Sequence, residues 1–372
     1  MPLFSLKASW FVIGTITVVL VGATFFTQRP QDADETTTVH GDPDSLDNAG
    51  TTTTQGDAGK QSAATPAHTT SLPFTPLNTV EERQRYYDSL FNESPQDLFQ
   101  QLLNVDGLRR EYVIRALAAQ LQKGGHEDIY TEIGELLGQL SLPTAHKSTL
   151  IALLTDTATP TAIRVLLNAA DDDTLRPSIA EAIKSIGDNH WGAGFHPELS
   201  PPMETAWKDA VNDSLLSQSL AVGIAKVGAP SGITLLLTEM DGHTYTQITQ
   251  GQDMRAAVVL GAMRDIDNPS AVPVLTQWFH SHQLADAAFM ASGRGLSAIA
   301  TPEATAVLLA WAKQAPDEAA PLARQWLGQV RDKGLYNADL MRTAISDGSA
   351  FRSDKVRTEI VSLLHLLDSS EE

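Results

Sequence analysis

Four times in this chain a small or capping residue precedes a proline, and apolar residues follow that proline in one fixed register. The starts are Thr159-Pro160, Ala229-Pro230, Asn268-Pro269 and Thr301-Pro302. Three residues beyond each proline stand Ile163, Ile233, Val272 and Thr305; six beyond stand Leu166, Leu236, Leu275 and Leu308; ten beyond stand Ala170, Met240, Phe279 and Ala312. This spacing predicts a helix with one buried face. Proline suits the first helical position, where its missing N–H would be unpaired in any case. Thr and Asn before it can cap the helix, whereas Ala229 cannot.

The segments ahead of the prolines carry a matching stripe. Leu220, Ile224 and Val227 precede Pro230; Val259, Met263 and Ile266 precede Pro269; Ser292, Leu296 and Ile299 precede Pro302. Ile179, Ala182, Ile183 and Ile186 keep this register without a following proline. Small residues recur at Gly223, Ala262 and Gly295, and again two past each proline at Ala162, Gly232, Ala271 and Ala304, where a neighbouring helix can approach closely. Gly187 and Gly228 are expected as left-handed helix C-caps. The prolines are 39 and 33 residues apart from Pro230 onward, and Pro160 to Pro230 spans close to two such units. That is the period of a two-helix repeat.

Ile183-Lys184-Ser185-Ile186-Gly187 and Ala221-Val222-Gly223-Ile224-Ala225-Lys226-Val227-Gly228-Ala229-Pro230 resemble HEAT-like repeats of the phycobilisome-lyase type. The resemblance covers roughly residues 140–367 and implies an all-α fold, an α-solenoid of helical hairpins. It specifies function poorly, because such repeats serve scaffolds, adaptors and a few enzymes. Further helices are expected at 95–104, 107–122, 126–140, 143–155, 318–332, 337–347 and 354–367, the first of them forming an end cap.

Residues 8–28 carry no charge, and Trp10 to Phe26 is nearly all apolar, about the minimum for a membrane-spanning helix. Lys7 lies before it and Arg29, Asp32, Asp34 and Glu35 after it, which favours the N-terminus inside and the remainder translocated. Residues 1–29 are therefore expected to anchor the chain in a bacterial inner membrane through residues 10–26, with the C-terminal domain in the periplasm. A signal peptide cleaved near Val21-Gly22-Ala23, giving a secreted or periplasmic protein, is the alternative; a cytoplasm-facing adaptor is another. Residues 30–78, rich in Thr, Asp, Gly, Ala and Pro, bury too little to fold and are expected as a disordered tether with an r.m.s. span of about 40 Å. Residues 79–372 form the repeat domain.

The net charge of −19 argues against nucleic-acid binding, which needs a basic footprint. The absence of cysteine excludes disulfides, thiol catalysis and cysteine-ligated zinc. No phosphate-binding glycine loop, nucleophile elbow or His-Glu-x-x-His motif occurs. His-Glu pairing of the kind used by HEAT-like metal hydroxylases is limited to His126-Glu127.

Two interruptions break the repeat. The first, 188–202, holds His190, Trp191, Phe195 and His196, as a contact loop or as a turn folding back on the core. Metal binding by His190 and His196 with Asp188 or Glu198 matches no ligand spacing. The second, 241–252, is polar around Tyr245. It joins one repeat to the next, whereas 188–202 joins the helices within a repeat, so the two should lie on opposite edges. Trp278 and Trp311 each stand nine past a repeat proline, either as a binding ladder or as core beside Val274 and Val307. His280-Ser281-His282 ends a helix, where histidine interacts favourably with the C-terminal carbonyls. The expected function is a non-catalytic, cofactor-free scaffold binding a protein partner through His190, Trp191, Phe195, His196, Tyr245, Trp278 or Trp311. An enzyme or accessory subunit of lyase or hydrolase type using the 188–202 loop is the alternative.

Overall fold

The computed structural model describes residues 77–189, 195–347 and 350–368. The chain divides into two units, Met1–Leu72 and Pro73–Glu372, and the described residues all lie in the second. The expected anchor, 1–29, and residues 30–76 of the expected tether fall outside them; Leu77 and Asn78, the last of that tether, are instead hydrogen-bonded to Arg83 and Glu82 of the first helix. Among the described residues no helix is long and apolar enough to cross a membrane.

The described chain is helical throughout, with a single isolated bridge between Thr244 and Asp286. In order come α1 (Val80–Leu90), α2 (Pro95–Leu102), α3 (Gly107–Leu121), α4 (Glu127–Gly138), α5 (Thr144–Thr157) and α6 (Pro160–Ala169). Then follow α7 (Arg176–Asn189), α8 (Ser200–Asp209), α9 (Ser214–Val227), α10 (Pro230–Thr238), α11 (Tyr245–Thr249) and α12 (Met254–Ala262). The last are α13 (Val272–Ser281), α14 (Ala287–Ile299), α15 (Pro302–Gln314), α16 (Ala320–Asp332), α17 (Leu335–Ser346) and α18 (Asp354–Asp368).

The packing makes two layers. In one, α3 packs on α5, then α7, α9, α12, α14, α16 and α18, each on the next. In the other, α4 packs on α6, then α8, α10, α13, α15 and α17. Chain order alternates between the layers, so each repeat is a hairpin and each hairpin touches mainly its neighbours. This is the packing of an α-solenoid.

The proline register marks the second layer as expected. Pro160, Pro230 and Pro302 open α6, α10 and α15, and Pro269 opens a 3₁₀ turn leading into α13. Thr159 and Thr301 accept from the amides of Ala162 and Ala304 at 3.2 and 3.3 Å, and Asn268 accepts from Ser270 at 3.0 Å. Ala229 supplies no side-chain cap. First-layer helices α5, α9 and α14 end on left-handed residues, Ala158, Gly228 and Ala300, each just ahead of a repeat Xaa-Pro start.

Long side chains of the first layer bridge neighbouring repeats. Lys226 donates to the carbonyl of Lys184 at 3.2 Å, Arg294 to Leu260 at 2.8 Å, Arg331 to Leu363 at 2.9 Å and Gln122 to Thr157 at 3.1 Å. Such donors satisfy carbonyls of a neighbouring helix while their stems cover apolar surface.

Two expectations change. Gly187 is not a C-cap: it lies inside α7, and a Cβ there would come within 2.3 Å of the Lys226 Cβ. Residues 188–202 are not one loop either. α7 runs to Asn189, a 3₁₀ turn covers Pro197–Leu199, and Ser200 opens α8. α8 is the repeat helix missing between Pro160 and Pro230, with buried Ser200 where the others carry proline. α1 also had no counterpart in the sequence reading.

Candidate functional site

The alternation of layers creates two edges. At the hairpin edge a first-layer helix turns into its second-layer partner. At the return edge a second-layer helix leads to the next repeat. Of the first interruption, residues 195–199 lead into α8 and lie at the hairpin edge; the 239–253 connection follows α10 and lies at the return edge. The described parts of the two interruptions therefore lie at opposite edges.

The hairpin edge is laced by side chains from one turn to the next. Asn268 Nδ2 donates to the Val227 carbonyl at 3.0 Å, and Ser270 Oγ to Gly228 at 2.9 Å. One repeat pair further on, buried Asn337 donates to Ala300 and Val330, both at 3.0 Å, and accepts from Thr305 at 3.2 Å. Of the residues singled out here, Phe195 is exposed, and His196 Nδ1 stands 2.8 Å from Glu198 Oε1 beside the 3₁₀ turn. His190 and Trp191 lie outside the described residues.

At the return edge the 239–253 segment is more ordered than a polar loop. Thr244 and Gln247 form a reciprocal capping box that starts α11. The segment is strapped to the next return turn: the Tyr245 amide donates to Ala285 and the Ala287 amide to His243, both at 2.9 Å. His243 Nε2 lies 3.4 Å from Asp253 Oδ2. Tyr245 is half-buried against the core, near the Arg294 guanidinium, which burial pushes below the usual arginine range.

The two tryptophans are held differently. Trp278 stacks on His282, with centroids 5.1 Å apart and planes 2° from parallel. His282 Nδ1–H donates to the Trp278 carbonyl at 2.8 Å, the helix-end interaction expected of this histidine, while its Nε2 faces Asp241 at 3.5 Å. Trp311 belongs to an aromatic cluster with Phe279, Phe289 and Trp326, at centroid separations from 4.4 Å (Phe279–Phe289) to 5.9 Å (Phe279–Trp311). Both indoles pack against the core beside Val274 and Val307. Offset and edge-on contacts of this kind add to what area burial supplies.

Three residues legible only in three dimensions tie α8, α10 and α12 together. The Arg255 guanidinium lies 3.8 Å over the Trp207 ring, its Nε is 3.0 Å from Glu239 Oε1, and a terminal nitrogen donates to the Trp207 carbonyl at 2.7 Å. Trp207 in turn donates to Glu239 at 3.3 Å. Among the described residues no three His, Asp or Glu side chains converge as a metal site would require.

The return edge also carries just over half of the described large exposed apolar residues. Leu108, Leu140, Val211, Leu215 and Met254, five of the nine exposed large apolar residues among those described, all lie at turns or helix starts on this edge. Leu140 is 94% and Met254 69% exposed. Two furrows open there on either side of α6. One, of about 600 Å³, runs between α4 and α6, where Gly134 and Gly138 leave the wall low. The other, of about 530 Å³, lies between α6 and α8; Asn168 and Asp171 line both. The sequence signal for this feature was faint: two glycines four apart and an apolar residue in a turn.

No protein-family model matches the chain, and no curated protein sequence matches it. Among solved structures, human deoxyhypusine hydroxylase in complex with glycerol is similar at 13% identity, over 67% of this chain and 99% of that one, with a TM-score of 0.27. So loose a superposition says nothing about chemistry, and the solenoid assignment stands on the helix packing above.

Proposed function

We propose that the chain is a non-catalytic scaffold of HEAT-like hairpin repeats, of the phycobilisome-lyase type by local sequence, that binds a protein partner in the bacterial envelope. The observation that carries this reading is the row of exposed apolar residues on the return edge. Single exposed apolar side chains are ordinary on any protein, but several gathered along one edge with open furrows between helices fit an interaction surface. A solenoid presents such an edge over its whole length. The uncharged 10–26 segment supports tethering to the inner membrane, with 30–78 as the spacer and the repeat domain in the periplasm.

The test is co-purification from native membranes with the full chain and with an edge variant, Leu140→Asp/Val211→Asp/Met254→Asp. All three side chains are exposed, so circular dichroism should be unchanged. The wild type is expected to retain a reproducible partner that the variant loses. A wild type that retains no specific protein, or a variant that retains the same one, overturns the reading. Deleting residues 1–29 should move the protein from the membrane pellet to the soluble fraction, and a reporter fused at the C-terminus reads its side of the membrane.

A further inference from the structure

We infer that the paired furrows flanking α6 form a docking groove for a cationic, apolar segment of the partner, with Lys or Arg alternating with Leu, Ile or Val. This inference rests on the scaffold reading and specifies its site and its ligand chemistry.

Small residues leave apolar side chains open in both furrows. Val165 on α6 faces the α4 furrow, where a Cβ added at Gly134 would still be 3.8 Å from it and one at Gly138 would meet nothing within 4 Å. Leu140 stands almost fully exposed at the furrow's mouth. Across α6, Leu167, Ala206 and Leu216 line the second furrow and are only partly buried. A side chain of leucine size entering either furrow removes apolar area from water on both partners, about 25 cal/mol per Å².

The carboxylates around the furrows are not all paired. Asp172 accepts from the amide and hydroxyl of Thr174, which hold its carboxyl below the usual range, and Lys147 lies 3.8 Å away. Asp173 and Asp213 share Arg176, at 2.6 and 3.3 Å, and Asp213 also caps α9. Asp171 and Asp209 are exposed, line the α6–α8 furrow, and have no ion-pair partner among the described residues. Neither α4 nor α6 has a basic residue in its last turn, so the negative ends of both helix dipoles at this edge lack a cation from their own helix. The remaining guanidinium of the groove, Arg164, donates to Thr161 Oγ1 at 3.4 Å, back toward the start of α6.

Charge then selects among occupants. The chain's own 30–78 segment has seven carboxylates against the single Lys60, and a second copy brings a net charge of −19. Both meet like charge at Asp171 and Asp209. A basic, apolar partner segment meets complementary charge, which steers its approach and sets its register.

The experiment uses the full chain in non-ionic detergent and a labelled 16-residue amphipathic Lys/Leu peptide, with its Glu/Leu counterpart as a second probe, read by fluorescence anisotropy. The Lys/Leu peptide should bind more weakly as salt rises, and the Glu/Leu peptide should not bind. Asp171→Asn/Asp209→Asn should weaken binding about tenfold. Glu81→Gln/Glu303→Gln removes the same charge elsewhere on the surface and should change it less than about twofold. Val165→Lys should abolish binding with helicity intact. Equal loss in both charge variants, loss in neither, or binding unaffected by Val165→Lys overturns the groove. So does photocrosslinking from position 165 to residues 30–78 or to a second copy. If native co-purification succeeds while these peptide results fail, the groove is wrong and the scaffold stands; if co-purification fails, the scaffold reading falls on its own.

Discussion

Gly293 lies so close to Trp326 that a Cβ at this position would come within 2.2–2.5 Å of the indole ring. The ring is 2% exposed and fixed by Phe279, Phe289 and Trp311, so it has nowhere to go. Gly293→Ala is expected to lower stability by about 2 kcal/mol despite alanine's better helix propensity, because overpacking a rigid core outweighs it. Denaturant titration measures this, and an unchanged midpoint would refute the account. Gly187 teaches the same lesson: its place near a helix end suggests a cap, yet Lys226 packing against it is what requires the missing Cβ. A glycine's sequence neighbours do not state which atoms cross it. Asp317 shows a residue whose role depends on another helix. Its Oδ1 accepts from Ser353 at 2.6 Å, and Ser353 in turn caps the Val356 amide at the start of α18. That hydrogen bond, aided by Lys355, holds the Asp317 carboxyl below the usual carboxylate range. A depressed carboxyl stabilises the fold above its unfolded value, and this stability is lost as pH falls through the folded value. Asp317→Asn should therefore be less stable than wild type at pH 7, with the difference closing below about pH 4. A difference that does not shrink as pH falls below about 4 would contradict the mechanism.

At the scale of elements, the repeat helices differ in how their N-termini are satisfied. Thr159 and Thr301 cap α6 and α15, whereas α10 begins at Ala229 with no side-chain acceptor. Thr159→Ala and Thr301→Ala should each cost about 1 kcal/mol. Ala229→Ser, at a residue already extended at φ −63°, ψ 134°, should gain about 0.5–1 kcal/mol by accepting from Gly232. Thermal denaturation of the three variants checks the opposite signs. α6, α10, α13 and α15 were legible because proline and periodicity repeat. α8 was not, since Ser200 replaces proline and Pro201, Pro202 and the preceding glycines look like loop. Its buried face, Met203 and Trp207, keeps helical spacing, and that was the signal available. α11 was hidden for a different reason: five residues are too few for periodicity, although Thr244 and Gln247 spell its capping box.

For the whole molecule, stability should be graded along the stack. Each interior hairpin is packed on both sides, whereas α1–α2 and α17–α18 have neighbours on one side. Hydrogen exchange is expected to be slowest in α7, α9 and α14 and fastest in the end helices; uniform protection from α1 to α18 would argue for a single cooperative block instead. The candidate site was only partly visible beforehand. The sequence singled out Trp278, Trp311 and Tyr245 because aromatics stand out, and folding packs all three against the core. The furrows beside α6 are made of ordinary residues brought together from α4, α6 and α8. By itself the sequence determined the helical repeat, its register, its phase on the prolines and the opposition of the two edges, because burial periodicity and helix-start chemistry are local. Which glycines are crossed, which carboxylates are already paired and where the surface stays open were decided only by tertiary packing, because each depends on atoms thirty to forty residues away.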